Sequence, residues 1–404
     1  MESRELTPVI ARLRGDLRRL RSPAGYLRAG IPHYPGLFGR DSLISGWQVL
    51  NDDPSFARAA LLRLAALQGR RVNIRTEEEP GKILHEYYEP LQFSARAKKW
   101  RVVLRWGSPY YGSVDATPLW LVVFHHYLQR TGDIAFRDQL WPRAISAYRW
   151  IMEYADHNHD GFLDYSSHNP FALTHQAWKD STDLGALPPP IAPVEVQGYA
   201  YAALRAFANL SRAQNDERNA KKAEDRARHL QTSFLKRFRC GDYFSFALDG
   251  HGRLAAWPTS NPGHLLFSGI LDHAAAQRVA ARLFTEDFWT PYGIRTLSTR
   301  DSRFNWQAYH RGSVWPHDNW FFWKGLQAIG DTKGATRIRQ ALLRAFYDLQ
   351  GKITELYAVE PQTHRLSLTL RVPGGSYRPC MPQAWASGAL LGMLTEQEKS
   401  ERQE

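Results

Sequence analysis

Hydrophobic residues recur every three or four positions along most of the chain, which is the spacing that gives a helix one apolar face. In the segment 5–20, for example, Leu6, Ile10, Leu13 and Leu17 fall on the same side of a helix. Most such segments come in pairs separated by short turns, and a short turn makes two helices antiparallel neighbours. The pattern therefore predicts an all-α chain of about twelve helices arranged as six hairpins.

Long irregular loops separate these helical pairs. One weakly alternating segment, 243–256, contains Asp249-Gly250 and predicts a minor β-hairpin. If six hairpins close into a ring, the long loops lie at one end of it, where a functional site is expected on a rigid scaffold. The predicted helices span 5–20, 41–50, 54–68, 114–129, 134–154, 194–213, 216–237, 263–269, 273–283, 312–329, 333–349 and 382–393. The long loops span 69–112, 156–193, 284–311 and 352–381.

Length and composition fit one domain with a large core, since the chain has 404 residues and is 43% hydrophobic. We predict a helical N-terminal extension over 1–28 that packs on a main domain over 29–404. No run approaches the apolar length of a membrane span, and the Arg-rich N-terminus contains no apolar signal core. Cys240 and Cys380 are far apart in sequence, which favours a reduced, cytoplasmic protein.

The net charge of +12 suggests nucleic acid as a first candidate partner. The basic residues are, however, spread through helical segments and form no stripe or tail, and no nucleic-acid module is recognisable. An Arg-rich solvated surface is therefore the favoured interpretation, with neither nucleic acid nor membrane as a partner. The 14 tryptophans are more informative about function than the net charge, because they suit either a large aromatic core or a cleft in which sugars stack.

The stretch Gln176-Ala-Trp178-Lys179-Asp180-Ser181 lies between two loop-like regions. A tryptophan ring offers a flat apolar face for a pyranose. Apolar neighbours also disfavour the charged form of a carboxylate, so Asp180 could keep a proton near neutral pH. A stretch with this spacing is more often an ordinary surface segment, so a catalytic role for Asp180 depends on evidence from the rest of the chain.

Polar residues also stand where several predicted helices begin. Asp41 could cap its helix, or Arg40 and Asp41 could both bind sugar hydroxyls. Tyr111 can face a cleft, and Asp115 is an acid of the kind that the first turn of a helix favours. Glu195 is either a first-turn acid that the helix dipole favours or a second carboxylate near Asp180.

Two acidic segments have ordinary alternatives. The run 77–86 is usually solvated charge, but its position between helix ends also allows a role at the rim of a site. The segment 156–164 resembles half of a calcium loop, with Ser167 where such a loop needs a bidentate Glu. A metal-free turn rich in Asp and Asn is favoured there, and we expect neither a metal nor a cofactor.

The segment 309–319 is dense in groups suited to a polyol, including Trp315, His317 and Asp318, and too many polar groups stand together for a core. In the final long loop, Glu355 and Glu360 are the remaining carboxylate candidates.

Motif-like segments follow one another over nearly the whole chain. They are FGRDSL, EEPGKILHE, YYGSVDATPLWL, GDIAFRDQLWP, DHNHDGFLDY, QAWKDSTD, APVEVQGYAYAAL, SNPGHLLFSGI, YGIRTLS, YHRGSVWPHDN, TELY and PQAWASGALL. Taken together and in this order, these segments resemble the amylo-α-1,6-glucosidase family, the glucosidase half of glycogen-debranching enzymes.

The resemblance implies an (α/α)6 toroid that hydrolyses α-glucosidic bonds with inversion and uses two carboxylic residues. It implies Asp180 as the general acid and Glu355 as the general base, although Thr354 stands where the family often has Pro, which keeps Glu360 as the alternative base. A small oligosaccharide or glycoside is as good an expectation as glycogen, because the β-rich domain that usually precedes the toroid in bacterial relatives does not stand before the first motif. The residues expected to line the sugar pocket are Arg40, Asp41, Tyr111, Asp115, Trp178, Lys179, Glu195, His264, Trp315, His317 and Asp318.

Other functions remain open at this stage. A toroid of this kind could carry out trehalose-type hydrolysis, phosphorolysis or sugar epimerisation. The chain could also be a carbohydrate-binding protein without catalysis. The sequence does not decide the oligomeric state.

Overall fold

The computed structural model describes residues 3–88, 106–372 and 375–400, with side chains from Leu6 to Glu396 within those ranges. This part of the chain contains eleven α-helices and two 3-10 helices, Thr182–Leu184 and Asn261–Leu265. The α-helices are α1 Ser3–Leu20, α2 Gly39–Gln48, α3 Pro54–Ala66, α4 Ala116–Thr131, α5 Ile134–Glu153, α6 Val194–Arg212, α7 Glu217–Arg237, α8 His273–Leu283, α9 Pro316–Ala328, α10 Thr332–Asp348 and α11 Ala384–Ser400.

The helices form a closed double ring. The inner ring runs α2, α4, α6, the 3-10 helix Asn261–Leu265, α9 and α11, and α11 packs on α2 to close it. Helices α3, α5, α7, α8 and α10 pack outside their neighbours in the chain, and α1 packs on α11. The predicted (α/α)6 toroid is therefore confirmed, with a 3-10 helix where the sequence pattern predicted an α-helix over 263–269. The boundary at residue 28 stays a prediction.

The two rings differ in how their helices begin. Each outer helix from α3 onwards has an aspartate whose side chain accepts a backbone N–H of the first turn; these aspartates are Asp53, Asp133, Asp216, Asp272 and Asp331. In the inner helices α2, α4, α6 and α9 the N-cap residue makes no such side-chain bond, although Ser113 Oγ accepts the N–H of Ala116 at the start of α4 at 3.3 Å. The acidic side chains in the first turns of the inner helices are therefore available for other contacts at this end of the ring.

The start of α2 shows how closely the chain approaches itself there. The N–H of Gly39 donates to the carbonyl of His85 at 2.9 Å. A Cβ at Gly39 would lie 2.1 Å from the carbonyl oxygen of Leu84, so a larger residue does not fit without a backbone shift. Glycine therefore allows the loop to cross directly over the helix start and fixes the position of the next residue, Arg40.

Short strands connect the loops of the described residues to one another. The strands are β1 Leu37–Phe38, β2 Glu86–Tyr87, β3 Ala192–Pro193, β4 Arg239–Cys240, β5 Tyr243–Phe244, β6 Ala247–Leu248, β7 Leu254–Ala255, β8 Trp289–Thr290, β9 Gly293–Ile294, β10 Ala358–Val359, β11 Leu366–Ser367, β12 Leu370–Val372 and β13 Gly375–Tyr377. They form the pairs β1–β2, β4–β5, β8–β9, β10–β11 and β12–β13 and one three-stranded sheet, β3–β6–β7, and all pairs are antiparallel. Strands β6 and β7 form the predicted minor hairpin within 243–256.

The calcium-like segment 156–164 satisfies its own carboxylates. Asp156 accepts the N–H groups of Asp160 and Gly161 at 3.0 and 2.9 Å, and Asp164 accepts the N–H of His157 at 3.1 Å. This is the hydrogen bonding of an Asx-rich turn. In the described ranges, no three His, Cys, Asp or Glu side chains are grouped so that they could hold a metal ion. Among the described helices, none combines the length and the hydropathy that crossing a bilayer requires.

Candidate active site

The loops enclose a cavity of about 340 Å³ against the starts of the inner helices α2 and α9. Such a volume is typical of a site for a small ligand. Both predicted carboxylates, Asp180 and Glu355, line it. Among the described residues, the lining consists of His33, Tyr34, Phe38, Arg40, Asp41, His85, Glu86, Tyr88, Trp106, Leu173, Trp178, Asp180, Tyr309, Trp315, Glu355, Gln383 and Trp385.

Asp180 lies in the loop between α5 and α6 and leaves 30% of its side chain open to the cavity. Its Oδ2 accepts a hydrogen bond from Arg40 Nη2 at 2.9 Å. Burial raises the pKa of Asp180 to about 6, while Arg40 lowers it and the negative charges of Asp115 and Glu355 raise it further. A carboxyl in this environment can hold a proton in weakly acidic solution and release it to a substrate.

Glu355 is fully buried and receives three hydrogen bonds. The hydroxyl of Tyr309 donates to Oε1, the hydroxyl of Tyr377 donates to Oε2 at 2.6 Å, and the N–H of Cys380 donates to Oε2 at 3.0 Å. Burial raises the pKa of Glu355, and these three donors act in the opposite direction because they favour the ionised form. The site therefore holds a carboxylate ready to accept a proton.

Arg40 connects the inner ring to the loop that carries Trp178 and Asp180, which we call the acid loop. Its Nη1 donates to Asp115 Oδ2 at 2.7 Å, and its Nη2 donates to Asp180. Asp115 stands at the start of α4 and also accepts from Ser113 Oγ at 2.6 Å. Arg40 lines the cavity, whereas Asp115 is fully buried behind it.

Two further carboxylates face the cavity near Asp180. Asp41 makes no side-chain hydrogen bond within the described residues, and burial raises its pKa to about 7. It does not cap α2, whose N-cap is Phe38, so the capping alternative for Asp41 is wrong. Glu86 accepts from Trp106 Nε1 at 2.8 Å and from the hydroxyl of Tyr88 at 3.3 Å, and burial raises its pKa to about 7. Carboxyls of this kind are suited to binding sugar hydroxyls.

Tryptophans form the apolar part of the lining. The rings of Trp178 and Trp315 meet edge to face with centroids 5.8 Å apart, and Trp106 and Trp385 also line the cavity. The ring of Trp385 stacks on His317, with centroids 3.8 Å apart and an interplanar angle of 8°. His317 thus supports the wall of the cavity from behind and is not one of its lining residues.

Several predicted pocket residues form a buried layer beneath the cavity instead of lining it. Lys179 Nζ donates to the carbonyl of Thr296 at 2.8 Å, and its burial lowers its pKa. The Nε2 of His264 lies 2.8 Å from Asp318 Oδ1. Glu195 is fully buried, and burial raises its pKa. Of these residues, His264 supports the cavity wall, because the ring of Trp178 stacks on it with centroids 5.7 Å apart.

Two other predicted residues lie away from the reacting groups. Tyr111 uses its hydroxyl to hold the carbonyl of Leu67 at 2.7 Å. Glu360, the alternative base, accepts from Thr363 in a surface turn and is absent from the described lining. Of the two candidate bases in the final loop, Glu355 lines the cavity and Glu360 does not.

Sequence reasoning missed other lining residues. Glu86 stood at the end of the acidic run, and Tyr309 and Trp385 stood in segments already noted, so a signal existed for these three. Tyr34, which also lines the cavity, carried no signal in the sequence. Neither did Tyr377, which lies outside the lining and donates its hydroxyl hydrogen bond to Glu355, because only the folded loops bring these two residues near Glu355.

The arrangement can perform acid–base chemistry on one bound sugar. It offers a carboxyl that holds a proton, a carboxylate that accepts one, aromatic faces and hydroxyl-binding carboxyls in a single cavity. A glycoside hydrolase that uses two carboxylic residues needs this combination of groups.

Comparison with known proteins points the same way. The family model of the mannosylglycerate hydrolase MGH1-like glycoside hydrolase domain matches residues 47–366. Among curated proteins, none matches the chain. The resemblance to debranching enzymes is thus supported only at the level of a six-hairpin glycosidase.

Solved structures share the fold over nearly the full length. The GH63 mannosylglycerate hydrolase from Thermus thermophilus in complex with Tris is 17% identical, with a TM-score of 0.72 over 96% of this chain and 100% of that chain. The same enzyme with Tris and D-glycerate gives 16% identity and a TM-score of 0.71 over 96% and 100%. A wild-type glycosidase gives 14% identity and a TM-score of 0.66 over 98% and 99%.

Proposed function

Because this chain belongs to the mannosylglycerate hydrolase MGH1-like glycoside hydrolase family, we propose that it is an inverting hydrolase of small α-hexosides. One observation carries the proposal most directly: Asp180 and Glu355, from distant parts of the chain, face the same 340 Å³ cavity. Burial raises the pKa of Asp180, which helps this carboxyl to hold the proton that a general acid donates. Three hydrogen-bond donors favour the ionised form of Glu355, which a general base needs.

The bond to the leaving group breaks with help from Asp180. The protonated carboxyl transfers its proton to the glycosidic oxygen as the bond to the anomeric carbon breaks. The aglycone leaves as an alcohol, and Asp180 becomes a carboxylate that Arg40 stabilises through the existing 2.9 Å hydrogen bond. The same bond thus strengthens as negative charge develops on Asp180.

Water attacks with help from Glu355. The carboxylate removes a proton from a water molecule, whose oxygen forms the new bond to the anomeric carbon on the face opposite the leaving group. The proton ends on Glu355, and the hexose is released with inverted configuration. The hydroxyls of Tyr309 and Tyr377 orient the carboxylate during this step.

The substrate that we propose is an α-hexoside whose aglycone is about the size of glycerate. The cavity is near the lower end of the range for small-ligand sites, which leaves little space for a long glucan. One of the solved neighbours is described as a mannosylglycerate hydrolase, and one of its structures is a complex with Tris and D-glycerate. An α-1,6-glucan remains the second candidate, on the strength of the sequence motifs shared with debranching enzymes.

A substrate panel tests this proposal. The purified protein would be incubated with α-mannosylglycerate, α-glucosylglycerate, α-glucosylglycerol, isomaltose, trehalose and a limit dextrin, with and without phosphate, and released hexose would be measured by anion-exchange chromatography. We expect free hexose from at least one small glycoside, without dependence on phosphate, and little from the dextrin. Faster release from the dextrin would favour the glucan candidate, and hexose phosphate would identify a phosphorylase.

Asp180→Asn is the matched control, since it keeps the shape of the side chain and removes the acid. We expect its turnover to fall by about three orders of magnitude or more, with an unchanged circular dichroism spectrum. Binding of these glycosides by the parent protein without turnover of any of them would instead support a carbohydrate-binding protein.

A further inference from the structure

The guanidinium group of Arg40 lies between two aspartates with different surroundings. Its Nη1 reaches Asp115 at 2.7 Å, and its Nη2 reaches Asp180 at 2.9 Å. The side chain of Asp115 is fully buried, whereas 30% of that of Asp180 is open to the cavity. One cation is therefore shared between a carboxylate in the protein interior and the carboxyl that faces the substrate.

This contact poses an electrostatic problem for a general acid. A guanidinium stays charged in proteins, and a cation in hydrogen-bond contact favours the ionised form of a carboxyl. With Arg40 as its only charged neighbour, Asp180 would lose its proton more readily and be a weaker proton donor near neutral pH. Burial of Asp180 offsets part of the effect of Arg40, and a negative charge on the other side of Arg40 would offset more of it.

We propose that Asp115 compensates the charge of Arg40 and thereby allows Asp180 to remain protonated until it reacts. The proposal rests on the proposed function, in which Asp180 is the general acid. Asp115 does not line the cavity, so it is a positioning residue that acts through Arg40 and not a catalytic residue.

The hydrogen bonds of Asp115 are those of a carboxylate that accepts from two side chains. Ser113 Oγ donates to its Oδ1 at 2.6 Å, and Arg40 donates to its Oδ2. Asp115 also stands at the N-terminus of α4, where the helix dipole favours an anion. Its side chain makes no capping bond to that helix, so both oxygens serve the contacts just named. Arg40 and Asp115 together thus present a nearly neutral pair to Asp180.

Other titratable groups in this region also affect the pH profile, so the test has to compare proteins in which these groups are unchanged. Asp41 is the most important, because burial raises its pKa to about 7 and it interacts with Asp180. The pH profile therefore reports Asp180 together with Asp41. Titratable groups that interact electrostatically with Asp180 include Asp41, Glu86, Glu355, Tyr34 and Tyr309. Those that interact with Arg40 include Asp41, His85, Tyr199, His310 and His317. Those that interact with Asp115 include Tyr165, Glu195, Tyr199 and His264.

The test compares Asp115→Asn with the parent enzyme on two leaving groups. The asparagine keeps the shape of the side chain and leaves Arg40 uncompensated, so the alkaline limb of kcat/KM on the best natural-type glycoside should move to lower pH by about one unit. A 2,4-dinitrophenyl α-hexoside needs little protonation of its leaving group. Its kcat should therefore change by less than about threefold, while kcat for the natural-type glycoside at pH 7.5 falls about tenfold or more.

Thr117→Val is the control for loss of a buried polar contact in the same turn. Thr117 Oγ1 accepts the N–H of Ile83 at 2.9 Å and is as buried as Asp115, but it carries no charge. We expect this variant to lose stability without any movement of the alkaline limb. An equal movement in both variants would contradict the proposal, because packing would then explain it.

Arg40→Gln combined with Asp115→Asn removes both charges and covers the case in which Asp115→Asn alone does not fold. The alkaline limb of this double variant should return to within about half a pH unit of the parent, at lower kcat. A double variant whose limb stays at low pH, or an unshifted limb in folded Asp115→Asn, would overturn the proposal. A parent enzyme that cleaves no glycoside would instead overturn the proposed function, so the two failures are distinguishable.

Discussion

Gln176 donates a hydrogen bond from Nε2 to Oε2 of Glu77 at 2.5 Å, across 99 residues of sequence. Glu77 Oε1 also accepts from Ser167 Oγ at 2.6 Å and from the N–H of His168 at 3.2 Å. The carboxylate of Glu77 therefore holds both ends of the segment 167–176, which leads directly into the loop of Trp178 and Asp180. An acidic run that could have been solvated charge is instead the anchor of the acid loop.

Glu77→Gln should loosen this anchor. The amide cannot accept all three hydrogen bonds, and bonds to a charged acceptor contribute about 1.5–3 kcal/mol each in buried surroundings. We expect kcat to fall about tenfold, because the acid loop loses its fixed position, and the thermal midpoint to fall by a few degrees. Steady-state kinetics and calorimetry measure the two effects.

Glu78→Gln is the matched control for that change. Glu78 belongs to the same acidic run, but its side chain accepts the N–H of Arg70 at 3.0 Å within its own turn. We expect kcat close to that of the parent. Equal losses of kcat in both variants would show that the acidic run acts through its total charge and that Glu77 has no special position.

The pH dependence of the parent enzyme should reflect Asp180. Its pKa is raised to about 6, and the acid has to be protonated in the free enzyme. Above that pH the protonated fraction falls, so kcat/KM should decline about tenfold per pH unit on the alkaline side. Measurements from pH 4 to 9 at constant ionic strength test this, and a kcat/KM that still rises from pH 7 to 8 would contradict it.

The acidic side of the same profile should respond to Tyr377→Phe. The hydroxyl of Tyr377 donates to Glu355 and favours its ionised form, which lowers the pKa of that carboxyl. Without this donor the pKa of Glu355 rises, so the base becomes protonated at a higher pH and the acidic limb of kcat/KM moves to higher pH.

Tyr357→Phe serves as the control, because the hydroxyl of Tyr357 donates to the carbonyl of Tyr292 at 2.7 Å and not to a carboxylate. Its acidic limb should stay in place. If Tyr377→Phe leaves the limb unchanged as well, Glu355 is not the group that the acidic limb reports.

The helical pairing could be predicted from the sequence because it depends on local periodicity and short turns. The predicted segments 134–154 and 273–283 match α5 Ile134–Glu153 and α8 His273–Leu283 closely. The segment around His264 became a 3-10 helix instead of an α-helix. Gly263 packs there against Leu283, and a Cβ would lie 2.8 Å from its side chain, a tertiary constraint that no local pattern records.

The site could be predicted in part. Motifs placed Asp180, Glu355, Arg40, Asp41, Trp178 and Trp315 together, and the structure brings all six to one cavity. The sequence pattern could not distinguish residues that line the cavity from residues in the buried layer beneath it. Glu195 and Asp41 are both acids in the first turn of an inner helix, but only Asp41 lines the cavity, because the separation depends on how loops cover each helix start.

The stereochemistry of hydrolysis tests the central claim most directly. Proton NMR recorded during the first minutes of cleavage of the best α-hexoside, before mutarotation, identifies the anomer that is released. A water molecule activated by Glu355 on the face opposite the leaving group gives the β-anomer first. Initial release of the α-anomer would mean retention and a covalent intermediate, and it would contradict the assigned roles of Asp180 and Glu355.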